Sequence, residues 1–437
     1  MKQRKTEANW PKLRKFLNDV HLWIGLPSGI IVLLICLSGT IYVFNTEIRE
    51  LSSPELYKVS HAADAQRLSP EELIAAVGRE TGGKVISIKI PADPERTYVL
   101  TVRKAEESKP GERKGEKGSA RPEEAGKGSV PERAKGKAGA GAVEKPGPPP
   151  RGVQYMVNPY SGKILGSSAD KNAVSEFMQI MFSLHRWLLL DRIEEPLIGE
   201  LPNRKLGSYI SGTATILFTL GVITGIIIWF PQKIRSWKQG LKIKWNANWK
   251  RVNHDIHNSL GFYSCIFLFL MGITGPQWSF EWYRTGLRKS LGTYQSEGAP
   301  KPETPKSDIA AMNATKSVLL TDHIKSANNV LDYQGDLTIS IPADSADAVL
   351  VNKTQTGFFA PVAADKIYLD QYTSALIKSE IFSEKPFNER VSNSIKALHV
   401  GDVYGKLSKI IYFLACLIAT SLPVTGTLIW INKMKKG

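Results

Sequence analysis

Cysteine is scarce in this 437-residue chain: the three, Cys36, Cys265 and Cys416, all fall inside long apolar runs. They cannot staple the polar segments, which must fold without disulfides. No G-x-G-x-x-G dinucleotide fingerprint and no nucleophile–base motif occurs, so any electrons the chain handles must come from a partner. Acidic residues are outnumbered, 41 against 57 Lys and Arg, giving a net charge of +16. Charge is also missing from four blocks, except close to their ends: Leu22 to Phe44, Leu206 to Phe230, Leu260 to Trp278 and Leu407 to Ile431. Each has about the 20 residues that a helix needs to cross a bilayer. The chain is therefore read as a membrane protein whose partner is the lipid bilayer.

The positive charge lies on short flanks. Lys2, Arg4, Lys5, Lys12, Arg14 and Lys15 precede the first block. Lys233, Arg235, Lys238, Lys242, Lys244, Lys250 and Arg251 separate the second from the third, and Lys433, Lys435 and Lys436 follow the last. In a four-pass chain these share one side, which the positive-inside rule makes the cytoplasm. The basic charge then needs no nucleic acid to explain it. The first block is too long for a cleavable signal and is expected to be a retained anchor.

Self-similarity sets the architecture. At constant offset His21 matches His257, Gly25 matches Gly261, Ser28 matches Ser264 and Gly39 matches Gly275. "IKIPAD" ending at Asp93 matches "ISIPAD" ending at Asp344, and Tyr160 matches Tyr372. Leu184-His185 matches Leu398-His399, and Thr224, Gly225 and Trp229 match Thr425, Gly426 and Trp430. The expected fold is an α-helical membrane protein with four transmembrane helices in two parallel repeats, each carrying an extracytoplasmic α+β domain.

The plan runs from a cytoplasmic tail (1–20) through a first membrane helix (21–46) to an outer domain (47–175). An interfacial segment with His185 (176–205) leads to the second helix (206–231) and a basic loop (232–253). The third helix (254–278), second outer domain (279–390) and an interfacial segment with His399 (391–406) follow. The fourth helix (407–431) and a short tail (432–437) close it. Ser69-Pro70-Glu71-Glu72 starts a helix. Strands are expected at Val85–Ile90, Thr97–Val102 and Gln154–Val157, and again near Leu337–Ile341, Ala348–Asn352 and Lys366–Leu369. The run from about 104 to 150 is rich in Gly, Pro, Lys and Glu and is expected to be a disordered insert.

Four of the seven histidines are repeat-matched. His21 and His257 are expected to open the first and third helices at the cytoplasmic face. His185 and His399 precede the second and fourth at the outer face. Each two-fold pair suggests one bis-histidine metal centre. A tetrahedral zinc needs three or four ligands, whereas an iron porphyrin needs only two axial ones. The absence of C-x-x-C-H excludes a covalent c-type haem, so one haem held without covalent attachment is expected at each pair. Gly25 and Gly261, one turn beyond their histidines, would leave room for the ring. Small residues on membrane helices more often mean close packing; the four matched histidines tip the reading to haem. His254 is an alternative ligand or an outer-shell partner, His61 and His323 read as surface residues, and Trp229, Trp278, Trp282, Tyr283 and Trp430 as aromatic belts.

The segments "VHLWIGLPSGIIVLLICLSG", "LHRWLLL", "DIHNSLGFYSCIFLFLMGITG", "LHVGDVYGKL" and "ITGIIIW" together resemble the PepSY-associated transmembrane family of bacterial inner-membrane proteins. The resemblance covers nearly the whole chain apart from the insert. It implies PepSY-like outer domains and a di-haem b-type cytochrome of the ferric-siderophore reductase kind. His21 and His257 would then ligate the cytoplasmic-side haem, and His185 and His399 the periplasmic one. The donor would be a cytoplasmic partner or quinol, and the acceptor a ferric siderophore in the periplasm. One departure is about 13 extra residues between His185 and its membrane helix, including Asp191 to Glu195. Two other readings are a cytochrome b serving another periplasmic acceptor and a non-redox, membrane-anchored binding or regulatory module.

Overall fold

Four apolar runs become the long helices, and each is inside-out relative to a soluble helix. On the first, Ser28, Gly29, Ser38 and Thr40 are buried while Trp23 and Ile30 are 71% and 75% exposed. Apolar side chains thus face outward, where lipid would be, and small ones let backbones approach. Inward hydroxyls satisfy themselves on the preceding turn, as Ser28 and Ser38 do by donating to Ile24 O and Leu34 O, both at 2.7 Å.

The computed structural model describes residues 10–62, 64–104, 152–230, 237–296, 298–300, 303–313 and 317–435. Lys2, Arg4, Lys5, Lys233, Arg235 and Lys436, and nearly all of the insert, lie outside the described residues. In chain order the first half contains α1 (Trp10–Tyr42), α2 (Pro70–Thr81), β1 (Gly83–Ile90), β2 (Tyr98–Lys104), β3 (Val153–Val157), β4 (Ile164–Ser167), α3 (Ala173–Trp187) and α4 (Asn203–Trp229). The second half contains α5 (Trp249–Thr274), α6 (Leu320–Val330), β5 (Gly335–Ser340), β6 (Val349–Gln355), β7 (Ala364–Leu369), β8 (Leu376–Glu380), α7 (Ile395–Val400) and α8 (Gly405–Met434).

The four spanning candidates, α1, α4, α5 with its continuation to Trp278, and α8, form a ring. Helix α1 packs on α4 and α8, and α5 packs on the same two, so α1 and α5 occupy opposite corners. Close contact is local: a Cβ on Gly29 would sit 3.3 Å from the Pro423 Cβ of α8. Helix α1 starts at Trp10, well before the expected boundary, because the polar lead-in is itself amphipathic. Trp10, Leu13, Leu17 and Val20 recur at helical spacing among Lys12, Arg14, Lys15 and Asp19. Arg14 donates to Ile228 O in the last turn of α4 at 2.9 Å, a favourable place for a cation. His21 and His257 therefore lie inside their helices rather than opening them.

At one end of the bundle the polar segments form a single eight-stranded antiparallel sheet, in the order β4-β3-β2-β1-β5-β6-β7-β8. This corrects the expectation of two separate domains. β1 and β5 join the halves, pairing Ser87 with Ser340 and Ile90 with Leu337. Left alone, each would present a bare apolar edge. One core runs through both, with Leu73, Val77, Ile88 and Leu100 of the first half against Ala327, Ile339, Val351 and Ile367 of the second.

Helix α2 starts on the capping box of Ser69 and Glu72 and stops at Gly82, whose φ of 64° suits glycine. The first turn of α6 is capped from the other half: Glu71 accepts from Leu320 N at 2.5 Å and Thr321 N at 3.4 Å. Strands β4 and β8 were not foreseen. Each returns from the same turn, built by Asn158 accepting from Tyr160 N at 2.8 Å and by Asp370 accepting from Tyr372 N at 3.0 Å. Both strands are short, and β8 is mostly exposed, so neither shows a strong alternating pattern.

Candidate functional site

The ring of helices brings four histidines into two facing pairs. His21 on α1 and His257 on α5 face across the bundle with ring centroids 6.3 Å apart and planes at 84°. His185 on α3 and His399 on α7 face each other at the sheet end, at 6.1 Å and 60°. His185 bonds to Ile35 O, which lies 14 residues beyond His21 on α1, so the pairs are separated by about 21 Å along the bundle.

The hydrogen bonds fix which nitrogen of each ring is free. His21 Nδ1 donates to Gly221 O at 3.0 Å and lies 3.0 Å from Thr224 Oγ1. His185 Nδ1 donates to Ile35 O at 2.9 Å. His257 Nδ1 lies 2.9 Å from Thr425 Oγ1 and His399 Nδ1 3.0 Å from Thr274 Oγ1. Both threonine hydroxyls already donate to their own helix, at Ser421 O and Leu270 O, so each accepts from its histidine. A proton on Nδ1 leaves Nε2 of a neutral imidazole with its lone pair exposed. At the sheet end burial lowers the pKa of both rings, and the facing imidazole lowers that of His399 further.

Glycines hold the rings by their Nδ1–Cε1 edges. A Cβ on Gly39 would lie 3.0 Å from His185 Nδ1, and one on Gly275 3.4 Å from His399 Cε1. The same atom on Gly225 or Gly426 would lie 3.3 Å from His21 Cε1 or 3.2 Å from His257 Cε1. Of Gly25 and Gly261, expected to leave room for the ring, a Cβ on Gly25 would meet no protein atom within 4 Å, and one on Gly261 only Leu422 Cδ2, at 3.8 Å.

These residues fit a bis-imidazole centre. Two imidazoles bound on opposite sides of one metal, with bonds of about 2.0 Å and ring centroids roughly 1.1 Å behind each nitrogen, lie about 6.2 Å apart. An edge-to-face ring pair can span the same distance. What distinguishes these pairs is that both have the same separation, the same tethered Nδ1 and the same glycine seat. Among the described residues no group of three or more His, Cys, Asp or Glu converges, so each centre offers two protein ligands. A flat tetradentate macrocycle is the cofactor that such a site suits.

The 13 residues that separate the halves after His185 are taken up outside the site. Leu188 and Leu189 adopt φ of 55° and 62° and end α3. Asn203 then gathers the loop, accepting from Leu197 N at 2.8 Å and donating to Ile193 O and Glu195 O at 2.9 and 2.6 Å. Helix α4 presses on the end of α3 so closely that a Cβ on Gly207 would fall 2.2 Å from Trp187 O.

His254 is exposed, beside Asn258 and Asp255, and does not join the pair. His61 is exposed and stacks on Tyr160 at 4.5 Å. His323, expected on the surface, is instead 3% exposed and bonds Ser374 Oγ at 2.9 Å. Trp278 lies edge-on to His399 at 4.9 Å. Sequence reasoning registered Thr224, Gly225, Thr425 and Gly426 as repeat matches but gave them no role at the site. Their shared Thr-Gly dipeptide was the available signal.

Fold and site thus define a membrane protein with four spanning candidates and two facing histidine pairs. The chain matches the PepSY-associated TM region over residues 19–433 and belongs to that family. No curated protein matches it.

Proposed function

We propose that the chain is a transmembrane di-haem b-type electron-transfer protein that reduces ferric siderophore on the outer side of a bacterial inner membrane. The observation that carries this reading is the pair of imidazole couples, at opposite ends of one bundle and alike in separation, tether and seat. His21 and His257 would hold one haem at the cytoplasmic end, and His185 and His399 the other at the periplasmic end. Bound there, haem b would supply one-electron carriers on both sides of the membrane.

The chain does the rest. Its hydrogen-bonded Nδ1 atoms fix ring orientation and raise ligand basicity. With two histidines of the chain holding each haem, transfer to the acceptor would be outer-sphere. Each Fe(III) takes one electron and becomes Fe(II), which the hard oxygens of a siderophore hold less well. Quinol or a cytoplasmic partner is the donor, and one two-electron quinol would serve two ferric ions. The basic flanks support cytoplasmic termini, and the matching element order of the halves supports two parallel repeats with the sheet in the periplasm.

The test is an optical spectrum of the detergent-purified protein, oxidised and dithionite-reduced, with a pyridine haemochrome count. Sharp reduced bands and about two b haems per chain are expected. Re-oxidation by ferric siderophore, compared with other oxidants, then identifies the acceptor. Colourless protein made with ample haem supply sinks the proposal and turns attention to a membrane-anchored PepSY binding or regulatory role.

A further inference from the structure

Beside the sheet-side pair lies a cavity of about 310 Å³, walled by Arg186, Trp187, Arg204, Lys205, Tyr209 and Trp278. That size is at the lower end for small-molecule sites. Three cations converge on it and no acidic residue lines it. Among the described residues none of the three forms an ion pair. Each lies over a ring instead: Arg204 over Trp187 at 4.1 Å, Lys205 over Tyr209 at 5.8 Å and Arg186 over Trp278 at 5.9 Å. Like charges gathered without a counter-ion repel one another, and a bound anion would relieve that repulsion.

The cavity adjoins the histidines. Arg186 follows His185 in sequence and donates to Trp278 O at 3.0 Å, and the Trp278 ring in turn lies against His399. A ligand here is one aromatic ring away from the imidazoles.

An interfacial belt of aromatic and basic residues is the ordinary reading of such a place, and it should recur at the matched corner of the bundle. It does not. The offset that pairs His185 with His399 sets Val400 opposite Arg186, and the one that pairs Thr224 with Thr425 sets Gly405 opposite Arg204. Lys406 matches Lys205, and nearby Lys409 is neutralised by Glu47 at 2.8 Å. Among the described residues the matched positions thus keep one cation without an ion pair, Lys406, against three here.

We infer that this cavity docks the electron acceptor, and that the acceptor is an anionic ferric chelate bearing free carboxylate or phenolate oxygens. Its role as acceptor rests on the electron-transfer reading above; the anion site stands on the cavity alone. Guanidinium groups would grip the chelate oxygens in pairs, and the Trp and Tyr faces would cover its apolar parts.

The test is isothermal titration of gallium(III) citrate, a redox-silent anionic chelate, into the full-length chain in phosphatidylcholine nanodiscs, with haem counted in every variant. One site is expected, weakened roughly tenfold by each of Arg186→Gln, Arg204→Gln and Lys205→Gln and unchanged by Lys406→Gln. The exposed Arg204 and Lys205 keep the test valid should Arg186→Gln fold poorly. No binding to the wild type, or undiminished binding to the triple variant, overturns the inference. So does loss of haem from the Arg204 and Lys205 variants, which would assign these cations to the carboxylates of the porphyrin. Loss of binding when phosphatidylglycerol replaces phosphatidylcholine also overturns it, by assigning them to lipid phosphate. A colourless protein that still binds the chelate through these cations would retire the acceptor role and keep the anion site.

Discussion

The two histidine pairs solve one geometric problem with different parts. At the far end the rings stand on the long helices α1 and α5, and their tethers and seats come from α4 and α8. At the sheet end α1 and α5 supply the tethers and seats, through Ile35, Gly39, Thr274 and Gly275, while short peripheral helices bring the rings. The helices α1 and α5 therefore serve both sites, with the glycine seat of one pair 18 residues beyond the histidine of the other on each. The far pair is fixed by helix packing alone. The near pair depends also on how the loops after His185 and His399 fold.

Removing a ligand breaks the comparison most completely. His257→Ala and His399→Ala are each expected to lose one haem of two, and the surviving reduced spectra should differ. Unchanged haemochrome counts in the purified variants would end the assignment. Next in size is a contrast between glycines. Gly39→Val pushes on His185 and should empty the near site. Gly25→Leu meets no protein atom at its Cβ and improves helix propensity by up to about 1 kcal/mol, so it should melt no earlier. If the opening beside His21 admits a macrocycle, that variant nevertheless loses the far haem. Full haem content in a stable Gly25→Leu protein would show that the opening is not the slot.

Thr425→Val sharpens the comparison more gently. It removes the hydroxyl that orients His257, an outer-shell change expected to weaken haem retention at the far site by roughly 10-fold, measured by haem transfer to apomyoglobin. The near site should be unaffected. The smallest effect belongs to the sheet. Burial lowers the pKa of His323, with Asp322, Asp370 and Glu71 partly opposing it. Protonation therefore favours the unfolded sheet, so the contribution of a neutral His323 is complete above about 6.5 and is lost as pH falls from there through the depressed folded value. Melting between pH 7.5 and 5.5 should show that slope, and His323→Gln should flatten it.

The membrane helices could be read from the sequence because hydropathy and length suffice to define them, and the histidines because four fell on repeat-matched positions. The partners of those rings were not recognisable. Thr224 and Thr425 bond histidines 203 and 168 residues away, and only the folded ring of helices brings them together. The start of α1 was misplaced because apolarity, rather than amphipathic spacing, set the boundary. His323 was misjudged because a lone polar residue in a polar segment carries no sign of burial. The union of the half-sheets was hidden because an apolar alternating strand looks alike whether its neighbour is a helix, solvent or another strand.

The pairing of β1 with β5 also bears on how the molecule is made. Ser87 meets Ser340, a partner roughly 250 residues later in the chain, and such distant pairings form slowly. During synthesis β1 would emerge with its inner edge open and wait until two further membrane crossings had been completed. A ready β-edge held open that long is an aggregation hazard. A chaperone on that side of the membrane, or prompt insertion of the second half, would have to guard it.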